Sequence, residues 1–419
     1  MVKNIIRKLP LKKNGLVLEG LRYIRYLFTR YLIKKKFCVI EGCVEEPIAV
    51  YDLTVSFFGY YNISPVNNKG DLLFLKVNNE KTHGSLIEPV NIMLKERNGR
   101  IKQIADSRSW NWQQGCMLQW LLGHEDMVIY NDYDVENKKY VSKVIDASGK
   151  LQTIYDIAIN NVSKTGKYAL GLNYERLALM RPDYGYFNVR RKDLPNDEED
   201  GIWYLDLTTG YTKLIISLEQ LKIISKTDTM NGVAHKVNHI DINPAGTRFM
   251  FLHRWIGPQG RFMRLITANP DGTDLHILNG DLMTSHCCWI DNENILSYCF
   301  VEGKGAGYFK FKDKSNTVSL FSDKLPKIDG HPSFSPNKRW LVIDTYPDST
   351  RMSFLYLYDV TKDVIHELGK FHQPFRYRGQ KRIDLHPKWS PSGAEIIFES
   401  GHNGKRGLYT MSICKNLPL

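Results

Sequence analysis

The chain has 419 residues, 42% of them hydrophobic and 24% charged, which is apolar material enough for a large core and excludes an intrinsically disordered protein. Its net charge is +12, but residues 1–36 hold 11 Lys and Arg against one acid, Glu19, so +10 resides there and the remainder is nearly neutral at +2. That concentration, with no nucleic-acid-binding module beside it, argues against nucleic acid as a partner, and seven cysteines without a CxxC pair read as reduced thiols of a cytosolic protein.

The first predicted element lies inside the basic block. On a helical wheel Val17, Leu21, Ile24, Leu27, Phe28 and Tyr31 share one side, with Arg22, Arg25 and Arg30 on the other, so residues 1–36 are expected to form a basic amphipathic helical extension. Arginine interrupts it too often for a bilayer span, and it lacks a small-residue cleavage site. Two roles fit: lying on an anionic membrane surface at the inner face, or packing against the flank of the domain that follows.

From residue 37 onward helical periodicity gives way to strands. The stretch "DLHPKWSPSGAEIIF" (Asp384 to Phe398) sets a frame of His, an apolar residue three positions on, a turn, and an apolar strand. The frame recurs at Tyr60, Met117, Ile159, His239, His286, His331 and His386, spaced 42 to 57 residues apart except for one gap of 80. Strand, turn and strand at that period predict an all-β protein, a seven-bladed β-propeller over residues 37–419. An insertion around 176–235 fills the long gap, and a strand between Cys38 and Leu53 closes the ring onto the chain's end. A closed ring buries its own core, so a monomer is expected.

In a propeller the first strand of each blade lines the central channel, so equivalent positions of different blades converge there. His239, His286, His331 and His386 hold one position in four consecutive blades, although the chain has 12 His in all. Such a cluster suits a borderline divalent cation, Mn, Zn or Ni. Asp329 and Asp384 stand two residues before a ring histidine and Asp241 two after one, positions from which a carboxylate orients an imidazole.

These frames, with "NYERLALMRPDYGY" (Asn173 to Tyr186) and "VNHIDINPAGTRFMFLHRW", resemble the oligogalacturonate lyase family among propeller-type polysaccharide lyases, over roughly residues 110 to 412. The resemblance implies a manganese-type (Mn2+) ion bound by three histidines and a glutamine, and cleavage of uronate-containing, acidic oligosaccharide by β-elimination with a histidine base. It assigns His286, His331 and His386 to the metal and His239 to the base, with Gln380 as candidate glutamine and Gln373 beside it. Elimination removes a proton α to a carboxylate, which requires that charge to be neutralised; Arg254 and Arg181 are the candidates for it. Tyr184 and Tyr186 could stack on sugar rings, and His235 is an alternative base ahead of His253 and His402.

Two other functions fit the same residues. A glycosidase would need paired carboxylates, for which Asp329, Asp384 and Asp241 are the candidates. A membrane-peripheral polysaccharide-biosynthesis protein, a glycosyltransferase or a glycan-binding scaffold, would use the basic helix and keep the channel for recognition. No phosphate-binding GxxxxGKS or dinucleotide GxGxxG is present, and "GKGAG" (Gly303 to Gly307) has no helix after it.

Overall fold

A computed structural model describes residues 19–24, 26–27, 38–39, 44–47, 55–78, 88–121, 123, 126–280 and 282–413. Seven antiparallel sheets make the blades of a β-propeller. Their inner strands are Val55–Phe57, Gln119–Trp120, Ile159–Val162, His235–Ile242, Thr284–Trp289, Pro332–Phe334 and Lys388–Trp389, here blades 1 to 7. Second strands such as Tyr168–Leu172 and Trp340–Asp344 are buried at every position, because both faces of a blade pack against neighbours. Burial fades outward to strands such as Leu151–Tyr155, which face water.

The repeated frame has a local physical basis. The residue three beyond each ring position wedges between blades. Trp120 Nε1 donates to the Pro65 carbonyl at 2.8 Å, Trp289 to Asp241 at 2.9 Å and Trp389 to Ser333 at 3.0 Å, each reaching the preceding blade. The Ser or Asn that follows opens a tight turn: the N–H groups of Gly166, Gly246, Lys338 and Gly393 donate to the carbonyls of Ser163, Asn243, Ser335 and Ser390. All four donors have positive φ, which explains glycine at three of them.

The ring closes as expected near the start of the chain: Val44–Pro47 pairs with the last strand, Gly407–Ser412, as the outer strand of blade 7. Cys38–Val39 adds a fifth strand to blade 6. Inside the seam, Glu399 accepts from the backbone of Phe58 and Gly59 at 3.2 and 2.9 Å and from Arg406 at 2.5 Å.

The span 176–235 is not a single insertion, since it contains two strands of blade 3, Gly201–Asp206 and Thr212–Ser217. The extra chain is split into two. One part, with helix Tyr174–Met180, leaves blade 3 after Leu172; the other, with helix Leu218–Ile223, precedes His235.

Residues 19–24 and 26–27 are helical. Tyr26 is buried against Phe375 and its hydroxyl lies 3.4 Å from His372, while Glu19 pairs with Arg378 at 2.7 Å. Leu21, Tyr23 and Ile24 are exposed. Val17, Arg25, Phe28, Arg30 and Tyr31 lie outside the described residues. No helix among those described is long and apolar enough to cross a membrane.

Candidate metal centre and active site

The four ring histidines meet at one end of the channel. Ring centroids stand 5.4 Å apart for His239 and His286, 3.9 Å for His286 and His331, and 4.4 Å for His331 and His386. Their backbone is specialised for this. Strand register breaks between Asn238 and Asp241 and between Thr284 and Cys287, and His239 and His386 adopt φ of 59° and 45°. A bulge at the ring position re-aims the side chain relative to the rest of the strand. Left-handed φ at a non-glycine residue costs roughly 1–3 kcal/mol, which surrounding contacts must offset.

Carboxylates hold two of the rings. His286 Nδ1 lies 3.0 Å from Asp329, which also accepts from Ser285 Oγ at 2.6 Å. His331 Nδ1 lies 2.9 Å from Asp344 Oδ1, which also takes the His331 N–H at 2.6 Å, while Asp344 Oδ2 takes the His386 N–H at 3.1 Å. Gly330 permits this approach, since a Cβ there would clash with the Asp344 carbonyl oxygen. Burial would depress His331, but the Asp344 charge and hydrogen bond outweigh it and hold the imidazole above its usual pKa. Burial, then Arg254 and the neighbouring imidazoles of His286 and His331, pushes His239 well below its usual value; His386 is lowered chiefly by burial and His331.

The donor atoms of His331, Asp384 and His386 lie within 4.8 Å of one another. His331 Nε2, both ring nitrogens of His386 and Asp384 Oδ1 are buried with no hydrogen-bond partner among the described residues. An unsatisfied buried polar atom costs about 1–3 kcal/mol, so one such atom from each of His331, His386 and Asp384 fits a cation that completes the three, with the second His386 nitrogen left outside that set. Asp384 is expected from sequence to orient His386. Instead Arg382 grips Oδ2 at 2.8 Å, that oxygen stands 3.9 Å from His386 Nε2, beyond hydrogen-bond reach, and Oδ1 is left as the unpartnered carboxylate oxygen of the group. Gln380 sits on the turn Gly379–Lys381, its carbonyl taken by Gln113 at 3.0 Å, and no described contact joins its side chain to the imidazoles. The amide of Gln373 is engaged by Ile383 and Arg351.

A second half of the site lies beside His239. The Tyr60 hydroxyl meets the edge of the His239 ring, in contact with Nε2 and 2.8 Å from Nδ1, and Tyr184, buried with its hydroxyl unpartnered, sets its ring 6.2 Å from the imidazole. Arg181 covers the Tyr184 ring at 4.5 Å. Arg254 has an unpartnered buried Nε, and burial with Arg181 nearby lowers its guanidinium to about 10. Lys236 donates to the Met180 carbonyl at 3.0 Å; burial, then Arg254 and Arg181, brings it to about 7. Arg254, Arg181 and Lys236 thus bring three basic side chains together beside His239.

Other sequence candidates lie elsewhere. His235 bonds His253 at 2.8 Å and stacks on Trp255, so its ring is engaged within blade 4. Tyr186 stacks on Tyr174 at 4.1 Å and accepts from Asn131, with no exposed face for a sugar. Asp241 bonds Asn62 at 3.3 Å rather than an imidazole. Asp344, Lys236 and Tyr60 are absent from the sequence expectation. Tyr60 had a signal, as the blade 1 equivalent of the ring histidines; Asp344, on a second strand, had none.

No protein-family model matches this sequence, and no curated protein matches it by sequence. Solved structures do match the fold. An oligogalacturonate lyase determined in complex with manganese superposes with a TM-score of 0.65 at 16% identity, covering 92% of this chain and 98% of that one. The oligogalacturonate lyase of Vibrio parahaemolyticus gives 0.61 at 15% identity, with 91% and 99% covered. The seven-bladed propeller of this chain is thus similar, over nearly its whole length, to that of oligogalacturonate lyases.

Proposed function

We propose that this protein is a metal-dependent lyase that cleaves uronate-containing oligosaccharide by β-elimination. The observation that carries the reading is the juxtaposition of the donor group of His331, His386 and Asp384 with His239 and the cationic cradle of Arg254, Arg181 and Lys236. A divalent cation, manganese as in the solved lyase, would be held by those three donors with His286 beside them, and would supply positive charge that acidifies a carbon next to a carboxylate. The cradle binds the substrate carboxylate. His239, neutral because burial and Arg254 disfavour the imidazolium, takes the C5 proton. The C5–H electrons form the C4–C5 double bond as the C4–O bond breaks, and the leaving oxygen carries off the electron pair. Tyr60 fixes the plane of His239, and Tyr184 closes the wall behind it.

The test is metal analysis of purified protein, followed by a search for unsaturated-uronate absorbance with a panel of acidic oligosaccharides. Stoichiometric metal with new absorbance supports the reading; its absence across the panel in metal-loaded protein overturns the lyase assignment.

The N-terminal helix favours a second reading. It presents Leu21, Tyr23 and Ile24 to solvent within a block of +10, which suits a cytoplasmic protein, peripheral at the inner membrane face, that handles glycan during polysaccharide biosynthesis. Binding to anionic vesicles, without lyase activity, would favour it.

A further inference from the structure

The inner strands carry a second tier of equivalent positions, two residues beyond the histidine tier: Asn62, Gln119, Asn161, Asp241, Cys288, Ser333 and Lys388, one from each blade. The segment Tyr60–Asn62 of blade 1 crosses the channel between the tiers. Tyr60 reaches His239 of blade 4, the Tyr61 hydroxyl donates to the Cys287 carbonyl of blade 5 at 2.7 Å, and Asn62 donates to Asp241 of blade 4 at 3.3 Å. Gly59 makes the crossing possible: its φ is +129° and an added Cβ would stand 2.7 Å from the Gln114 backbone. The histidine mouth is therefore partitioned from what lies beyond.

Beyond the partition is a cavity of about 520 Å³ floored by the polar tier. Val162, Ile242, Phe334 and the indoles of Trp120, Trp289 and Trp389 add apolar surface to its lining, and Ser163, Lys164, Lys338 and Ser390 complete it. Its charges are unbalanced. Neither Lys164 nor Lys338 pairs with a carboxylate among the described residues, and the two are close enough that burial and then the Lys164 charge lower the pKa of Lys338. Lys388 is occupied by the Gly59 carbonyl at 3.0 Å, and Asp241 is the sole carboxylate in the lining. Asn62 Oδ1 is buried and unpartnered. The cavity volume is within the range of roughly 300–1,000 Å³ usual for small-molecule sites.

Amide and hydroxyl groups in the lining match a ligand rich in hydroxyls, apolar side chains match the C–H faces of a sugar ring, and two lysines without a carboxylate partner, Lys164 and Lys338, the latter over the Phe334 ring at 5.9 Å, match one carboxylate. We propose that this far mouth is a second binding site, for a small acidic sugar: a mono- or disaccharide bearing a carboxylate. It is separate from the histidine site and does not depend on the lyase assignment.

The probe is galacturonate, with galactose and inorganic phosphate as comparisons, titrated calorimetrically into full-length protein carrying His331→Ala and His386→Ala so that the first site is disabled. Saturable binding of galacturonate is expected. It should weaken at least about tenfold on adding Lys164→Ala and Lys338→Ala, and galactose should bind weaker by a similar factor. The exposed Lys164→Glu alone, checked by an unchanged melting curve, should lower the affinity in the same direction. No binding in the histidine variant, or affinity indifferent to both lysine changes, overturns the site. Phosphate competing as well as galacturonate overturns the sugar assignment.

Discussion

Asp344 accepts from the backbone of both His331 and His386 as well as from the His331 ring, so one carboxylate from a second strand orients two members of the donor group. Asp344→Asn should leave the propeller folded yet weaken metal binding by about 10–100-fold, read by titration of the apoprotein. Unchanged affinity would mean that His331 is oriented by packing alone. His239→Ala, in contrast, should keep its metal and lose elimination activity by about 10²–10⁴-fold; full activity would remove His239 from the chemistry. Lys236 supplies a pH test. Burial, with Arg254 and Arg181, lowers its pKa from the usual 10.5 to about 7, so between those values the unfolded chain binds more protons than the folded one and this residue's contribution to stability rises with pH. Lys236→Met should therefore stabilise the protein most below pH 7, with the gain shrinking toward pH 10. Urea midpoints measured across that window would expose a pH-independent gain, which would mean that the ammonium is not buried at a cost.

At the scale of elements, the N-terminal helix divides its residues between two roles. Tyr26 is buried on Phe375 and Tyr23, though partly exposed, packs on the same ring at 5.1 Å, while Leu21 and Ile24 face outward. Tyr26→Ala should destabilise the protein by about 1.5–3 kcal/mol, the usual cost of exposing one large apolar side chain. Replacing Leu21 and Ile24 with Glu should leave stability unchanged but lower binding to anionic vesicles, and wild-type binding should weaken with salt. If both changes act only on stability, the helix is a brace and not a tether. The wheel placed Leu21, Ile24 and Leu27 on the apolar side but gave no sign of Tyr26, because the surface it meets comes from His372, at the end of the blade 6 strand Val364–His372, and Phe375 in the loop after it.

At the scale of the molecule, stability depends on closure between blades 7 and 1. Backbone pairing of Val44–Pro47 makes the outer part of the seam, and the buried pair Glu399–Arg406 makes the inner part, with Arg406 also donating to the Trp112 carbonyl at 2.5 Å. Removing one partner of a buried ion pair costs about 3–5 kcal/mol, because the other charge is left uncompensated. Glu399→Leu should show a loss of this size in urea unfolding, whereas a shift under 1 kcal/mol would mean that the strand alone holds the ring.

The sequence by itself determined the blade count, the closing strand and the histidine tier, because a repeated structure imprints its period on the chain: the interblade wedge recurs at Trp120, Trp289 and Trp389, and the turn after it at Ser163, Asn243, Ser335 and Ser390. Only the tertiary structure decided which carboxylate serves which imidazole, that Asp384 joins the donor group while Gln380 lies on a separate turn, and that Tyr60–Asn62 partitions the channel. Those contacts join residues from different blades, or from a bulged strand whose register departs from strict alternation. Such pairings depend on where the closed ring brings the chain in space, and no spacing along the sequence encodes that.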